Sequence, residues 1–121
     1  AKAGAARVVA SEIDDFALAA IALNAQANGV RVETVAGDIV GRDDGWDAAL
    51  AGDVSYERAM AKAVTDWLEA LHRRGAFVLI GDPGRAYLAR ERLARIAEYR
   101  VPTTRALEDA EIKKSGVWRF A

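Results

Sequence analysis

The spacing of apolar positions changes several times along this chain, and the changes divide it into alternating strands and helices. Arg7-Val8-Val9-Ala10-Ser11-Glu12 is a short apolar run ending in an acid. It lacks the polar alternation of a half-exposed strand, so it suits a strand covered on both faces. Asp14 or Asp15 then stands where a helix needs an N-cap, Phe16, Ala20, Leu23 and Ala27 recur at helical spacing, and Asn28-Gly29 supplies the stop. Val30 to Val35 alternates apolar and polar, as expected near a sheet edge, and is followed by an acid, Asp38. After the polar loop Gly41-Arg42-Asp43-Asp44-Gly45, the stretch from Trp46 through Val54 carries a small apolar strand, Ala48-Ala49-Leu50-Ala51, and closes on Asp53.

Helical spacing returns with Met60, Val64, Trp67, Leu68 and Leu71, and Arg73-Arg74-Gly75 places cations in the last turn with a glycine at C′. Ala76-Phe77-Val78-Leu79-Ile80 is the most hydrophobic run and reads as a central strand, with Gly81-Asp82-Pro83-Gly84-Arg85 as the turn that leaves it. A shorter helix is predicted around Arg90 to Glu98, burying Leu93, Ile96 and Ala97. Late strands follow at Tyr99-Arg100-Val101 and Gly116-Val117-Trp118-Arg119-Phe120, separated by a charged connection from Thr104 to Ser115. This order predicts one α/β domain over residues 1–121, with a mostly parallel sheet and helices on both of its faces.

Composition removes several chemistries. With 17 basic and 18 acidic side chains the formal charge is −1, which gives no global basic field for nucleic acid or an anionic membrane. Zero cysteines exclude a disulfide scaffold and a thiolate nucleophile, and a single histidine, His72, leaves little for a metal cluster, so no metal is expected. Cysteine-free usage fits a reducing compartment, and a cytoplasmic location is the expectation. No apolar run approaches the roughly 20 residues of a membrane span. The opening Ala1-Lys2-Ala3-Gly4-Ala5-Ala6 reads as the closing turn of a helix with Gly4 at C′, and no initiating Met precedes it, so the domain is expected to be N-terminally incomplete.

Ligands of an open parallel sheet lie outside the carboxyl ends of its strands, and four acids stand there: Glu12, Asp38, Asp53 and Asp82. Glu12 fits a carboxylate accepting hydrogen bonds from ribose hydroxyls. Asp38 could accept from an exocyclic adenine amine while Ile39 packs on the ring. The competing reading is that such acids cap helices or stay solvated. Geometry alone does not separate an NAD site from an adenosylmethionine site, and no GxGxxG, Walker lysine motif or Ser-His-Asp order is present to decide. Trp67 reads as core, His72 as a surface residue favoured by the helix dipole, and Arg90, Arg92 and Arg95 as a solvated helix face.

Taken together, Val9-Ala10-Ser11-Glu12-Ile13-Asp14, Ala36-Gly37-Asp38-Ile39 and Gly52-Asp53-Val54-Ser55-Tyr56 resemble the motifs that follow the glycine turn in seven-strand, adenosylmethionine-dependent methyltransferases. Asp53-Val54-Ser55-Tyr56 matches the Asp/Glu-x-x-Tyr/Phe signature of protein lysine methyltransferases in that superfamily. Gly81-Asp82-Pro83-Gly84-Arg85, Tyr99-Arg100-Val101-Pro102-Thr103-Thr104 and Val117-Trp118-Arg119 are similar to the branch that methylates lysines of the electron-transfer flavoprotein β subunit. The resemblance implies a Rossmann-like sheet with an antiparallel last strand, here lacking the first strand and its glycine turn. It implies S-adenosylmethionine as cofactor and S-adenosylhomocysteine as product, with Glu12 at the ribose, Asp38 and Ile39 at the adenine, and Ile13 also among the cofactor-binding residues. Asp53 and Tyr56 would be the catalytic pair that orients the target lysine, joined on the substrate side by Asp82 and Arg85, with a protein as partner. Three other readings are open: another methyltransferase on the same sheet, a non-catalytic module that self-associates through open strand edges, and, more weakly, an NAD-dependent oxidoreductase.

Overall fold

The computed structural model describes residues 1–105 and 109–121, with side chains for 1–102 and 112–121. It divides into two compact units, residues 1–42 and 43–121.

In the first unit, β1 (Val9–Glu12) and β2 (Glu33–Ala36) form a parallel pair in the register Val9 with Glu33 through Glu12 with Ala36. Both strands are shorter than the apolar runs suggest, and β2 begins at Glu33 rather than Val30. Between them runs α1 (Asp15–Ala27). It starts where Asp14, in extended conformation, accepts a hydrogen bond from the Phe16 amide, and it closes with the Asn28 amide donating to the Asn24 carbonyl and the Gly29 amide to the Gln26 carbonyl. The predicted cap and stop are therefore both in use.

The second unit holds a four-stranded sheet in the order β3-β4-β6-β5, formed by β3 (Ala48–Gly52), β4 (Phe77–Asp82), β5 (Leu93–Arg105) and β6 (Asp109–Phe120). β3 is parallel to β4, while β6 is antiparallel to both β4 and β5. Three of the four strands thus run one way and the last strand alone opposes them, inserted between its two predecessors. The α/β class with an antiparallel last strand is as predicted, and β4 is central. α2 (Arg58–Arg74) ends as predicted at Gly75, in the left-handed region at φ 107°, and starts where Glu57, a cap the pattern does not mark, accepts from the Ala59 and Met60 amides. Ala61, Val64, Leu68 and Leu71 form its buried stripe. Val78, Ile80 and Asp82 alternate as the buried positions of β4, aligned across the ladder with Trp118 opposite Ile80 and Gly116 opposite Asp82. Phe120 and Leu93 complete this apolar layer, and His72 stacks on Phe120 at 5.5 Å between ring centroids. Trp67 is half-buried and meets Trp46 edge-on at 6.4 Å.

Two expectations are corrected. The helix predicted from Arg90 to Glu98 is a single 3₁₀ turn, Arg90–Arg92, followed directly by strand β5. A bulge between Arg95 and Ala97 inserts one extra residue, so positions three apart come to lie on one face, and Arg95 pairs with Glu98 at 2.6 Å as it would on a helix. Ile96, expected in the core, is half-exposed. The charged connection expected from Thr104 to Ser115 is largely the outer part of a long β5–β6 hairpin, its residues 106–108 lying outside the described ones. Arg92 is correspondingly not on a solvated helix face. Its guanidinium reaches back to α2, to Asp66 at 2.7 Å and to Glu69.

Among the described residues no helix is long and apolar enough to cross a membrane, and no group of three or more His, Asp or Glu side chains is placed to hold a metal ion.

Candidate functional site

The four strand-end acids fall in two groups. In the first unit Glu12 ends β1 and Asp38 follows β2, both at the carboxyl end of the parallel pair. The chain there is tied by the Gly37 amide donating to the Glu12 carbonyl at 3.1 Å and by the Ser11 hydroxyl donating to the Gly37 carbonyl at 3.1 Å. Each acid uses one oxygen to shape its own turn: Glu12 Oε1 accepts from the Ile13 and Asp14 amides, and Asp38 Oδ1 accepts from the Val40 amide. The capping role that competes with ligand binding is therefore real, yet it engages only one oxygen of each carboxylate. Ile13 is exposed and Ile39 half-buried.

The second group is built on adjacent parallel strands. Gly52 at the end of β3 aligns with Gly81 in β4, and the Asp53 amide donates to the Gly81 carbonyl at 2.9 Å. Asp53 is the one described non-glycine residue with positive φ, 52°, a conformation that a short acidic side chain tolerates better than most. One strand over, Asp82 is 1% exposed because it continues the buried face of Val78 and Ile80. Its Oδ1 accepts from the Gly84 and Arg85 amides, both at 2.7 Å, while Oδ2 has no hydrogen-bond partner. Asp82-Pro83-Gly84-Arg85 is thus a turn closed by its own acid, with Gly84 at φ 102°, where a side chain would be strained. The turn aims Arg85 back at β3. Its Nε and Nη2 donate to Asp53 Oδ1 and Oδ2 at 2.7 and 2.8 Å, a two-pronged ion pair with about half of each side chain exposed. These hydrogen bonds hold the Asp53 carboxyl below its ordinary pKa and raise that of Arg85, to which Asp82 and the Tyr56 phenol also contribute. Tyr56 is 55% exposed, while Ser55 beside it is buried.

Asp53 and Arg85 therefore meet directly, Asp82 fixes the turn that carries Arg85, and Tyr56, three residues after Asp53, acts on Arg85 electrostatically. The direct Asp53–Arg85 pair is not legible from their separation of 32 residues and needs the knowledge that β3 and β4 are neighbours. Arg95, read as part of a helix face, lies over the Trp118 ring, 5.9 Å from its centroid.

No family model matches the chain. Curated proteins named electron transfer flavoprotein beta subunit lysine methyltransferase do: that of Danio rerio is 36% identical across 97% of this chain, that of Mus musculus 32% and that of Homo sapiens 31%, each across 97%. The chain spans about half the length of these relatives, 48% of the Danio rerio protein and 47% of the human one. Among solved structures, an uncharacterized protein from Listeria monocytogenes serotype 4b superposes with a TM-score of 0.58 at 14% identity, covering 97% of this chain and 52% of that one. A putative methylase from Haemophilus influenzae gives 0.51 at 11% identity, covering 94% of this chain and 66% of that one. A tRNA methyltransferase from B. subtilis gives 0.50 at 17%, covering 95% and 50%. At these identities the superpositions show the shared fold alone. Sequence likeness over nearly the whole chain agrees with the motifs: along 97% of its length this chain is similar to proteins named electron transfer flavoprotein beta subunit lysine methyltransferase.

Proposed function

We propose that this chain forms part of an adenosylmethionine-dependent methyltransferase acting on a lysine ε-amine of a protein, of the kind found on the β subunit of electron transfer flavoprotein. One observation supports the reading above others. The Asp53-Val54-Ser55-Tyr56 signature, in a chain alignable across 97% of its length with lysine methyltransferases, lies at the carboxyl end of a parallel strand, where such sheets bind their substrates.

When bound, adenosylmethionine supplies an electrophilic methyl on a sulfonium. The residues of the first unit suit its nucleoside, because the oxygens of Glu12 and Asp38 left over from their turns are acceptors for ribose hydroxyls and an adenine amine. Ile13 and Ile39 flank those acids with apolar surface. On the substrate side, Asp53 accepts from the target amine and Tyr56 walls or hydrogen-bonds it. The amine would have to be neutral, so that its lone pair is free to take the methyl that the cofactor would supply. The protein's work is therefore orientation plus loss of one lysine proton.

The test is methylation of purified electron transfer flavoprotein β subunit by the intact enzyme, read by mass spectrometry of its lysine peptides. Wild type should add methyl groups, and Asp53→Ala should lower kcat/KM by about a hundredfold, as misplacing a reacting group does. An Asp53→Ala enzyme with undiminished activity would remove Asp53 from the site.

A further inference from the structure

A carboxylate beside the target amine raises a difficulty. It orients the amine but also stabilises its ammonium form, and free lysine already titrates at about 10.4. The structure surrounds Asp53 in a way that answers this. Its two oxygens each accept one bond from the Arg85 guanidinium, so the pair carries no net charge. An ionised carboxylate has about four acceptor positions, so the pair leaves about half of them available to a further donor. About half of each partner is exposed, so an incoming side chain can reach it.

We propose that Arg85 is a positioning residue that neutralises Asp53, letting the carboxylate orient the target amine without holding its proton. The inference rests on the reading of Asp53 as the amine's acceptor. Other charged or titratable groups near the pair are Asp82, whose Oδ1 takes the Arg85 amide, the Tyr56 phenol, and Arg90, which donates to the Arg85 carbonyl at 3.3 Å. Among the described residues Arg85 is the cation that acts on the Asp53 carboxyl. The turn that aims Arg85 is fixed by Asp82, so this buried acid serves the site through Arg85 and not by meeting substrate.

Removing the guanidinium leaves an uncompensated carboxylate against the amine, which raises the bound amine's pKa. The pH profile of kcat reports groups in the bound complex. In Arg85→Met its acidic limb should move up by about one unit, so kcat near neutral pH falls about tenfold and recovers in alkali, while KM for the lysine substrate stays level or falls. Arg85→Lys, which keeps the charge, should return the limb toward wild type. Independently of activity, carbon NMR should show the Asp53 carboxyl titrating higher in Arg85→Met than in wild type, with Asp53→Asn assigning the signal. A kcat loss equal at every pH, a lower KM with kcat unchanged as for a displaced plug, or an unmoved Asp53 titration would each overturn the proposal. Absence of methylation by wild type would instead overturn the parent reading, and this inference with it.

Discussion

The two helices of this chain differ in what their apolar residues do. α1 is apolar nearly all round, DFALAAIALNAQA, yet none of its residues is buried: Phe16 is 88% exposed and Leu23 66%. α2 is far more polar on average but concentrates its apolar residues on one stripe, and Ala61, Val64, Thr65, Leu68 and Leu71 are all buried. α1 stands over a ladder of two four-residue strands, whereas α2 covers β4 at the centre of a four-stranded sheet. Apolar content therefore does not predict burial. The partner surface does, and only the second unit has one large enough to make a core.

That contrast gives the largest expected effect. Leu68→Ala leaves a cavity between α2 and the sheet and should cost about 2–5 kcal/mol. Leu23→Ala removes an exposed side chain and should stay within about 0.5 kcal/mol. Urea titrations of both variants, followed by circular dichroism, check this. Equal shifts in midpoint would show that α1 packs against something as α2 does.

A medium effect separates the helices by their caps. Asp14 and Glu57 each satisfy amides in a first turn, at 3.0 Å for Asp14 and 2.9 and 2.8 Å for Glu57. Replacing either by Ala should cost about 1 kcal/mol locally. Packing holds α2 in place after that loss, whereas α1, with no buried stripe, should fray. Amide exchange should therefore speed up along α1 in Asp14→Ala but only in the first turn of α2 in Glu57→Ala. Uniform protection of α1 in Asp14→Ala would contradict the comparison.

What was legible in the sequence follows the same division between local and distant causes. The Asp14 cap, the stops at Asn28 and Gly75, and the α2 stripe through Val64, Leu68 and Leu71 are short-range features and stand where the pattern puts them. The helix expected over Arg90 to Glu98 rests on Leu93, Ile96 and Ala97 at helical spacing, a short apolar pattern that a bulged strand also produces, and of the three only Leu93 is buried. The outer hairpin was misread because β4 pairs with β6 only from Gly116 to Trp118. Beyond that point β6 has β5 alone, and residues such as Tyr99, Val101 and Ile112 are exposed, so no apolar alternation marks the strand. In the candidate site, the acids were legible from their places after strands. The Asp53–Arg85 pair was not, because it depends on which strands are neighbours.

The smallest effect concerns charge, and it too separates the units. In the second, Arg92 ties the 3₁₀ turn to α2 through Asp66 and Glu69, with Lys62 and Arg73 on the same acids. Hydrogen bonds from Lys62 and Arg92 hold Asp66 below its ordinary pKa, and the bond from Arg92 does the same for Glu69. In the first unit the bond from Arg7 lowers Glu33, with Arg31 adding to it. A depressed folded-state pKa means the contribution is complete above the unfolded carboxylate range, about 3.9–4.3, and is lost as pH falls through the lower folded value. Stability of the second unit should therefore decline between neutral pH and the acid side of that range. The decline should be shallow, since these side chains are largely solvated. Arg92→Ala should flatten it by removing a partner from two acids at once, whereas Arg7→Ala removes a partner of Glu33 in the other unit and should leave the second unit's decline as in wild type. Urea midpoints of the three proteins at neutral and acidic pH give the comparison. An Arg92→Ala slope equal to that of wild type would show that this network contributes nothing measurable, and that the second unit is held by its apolar layer alone.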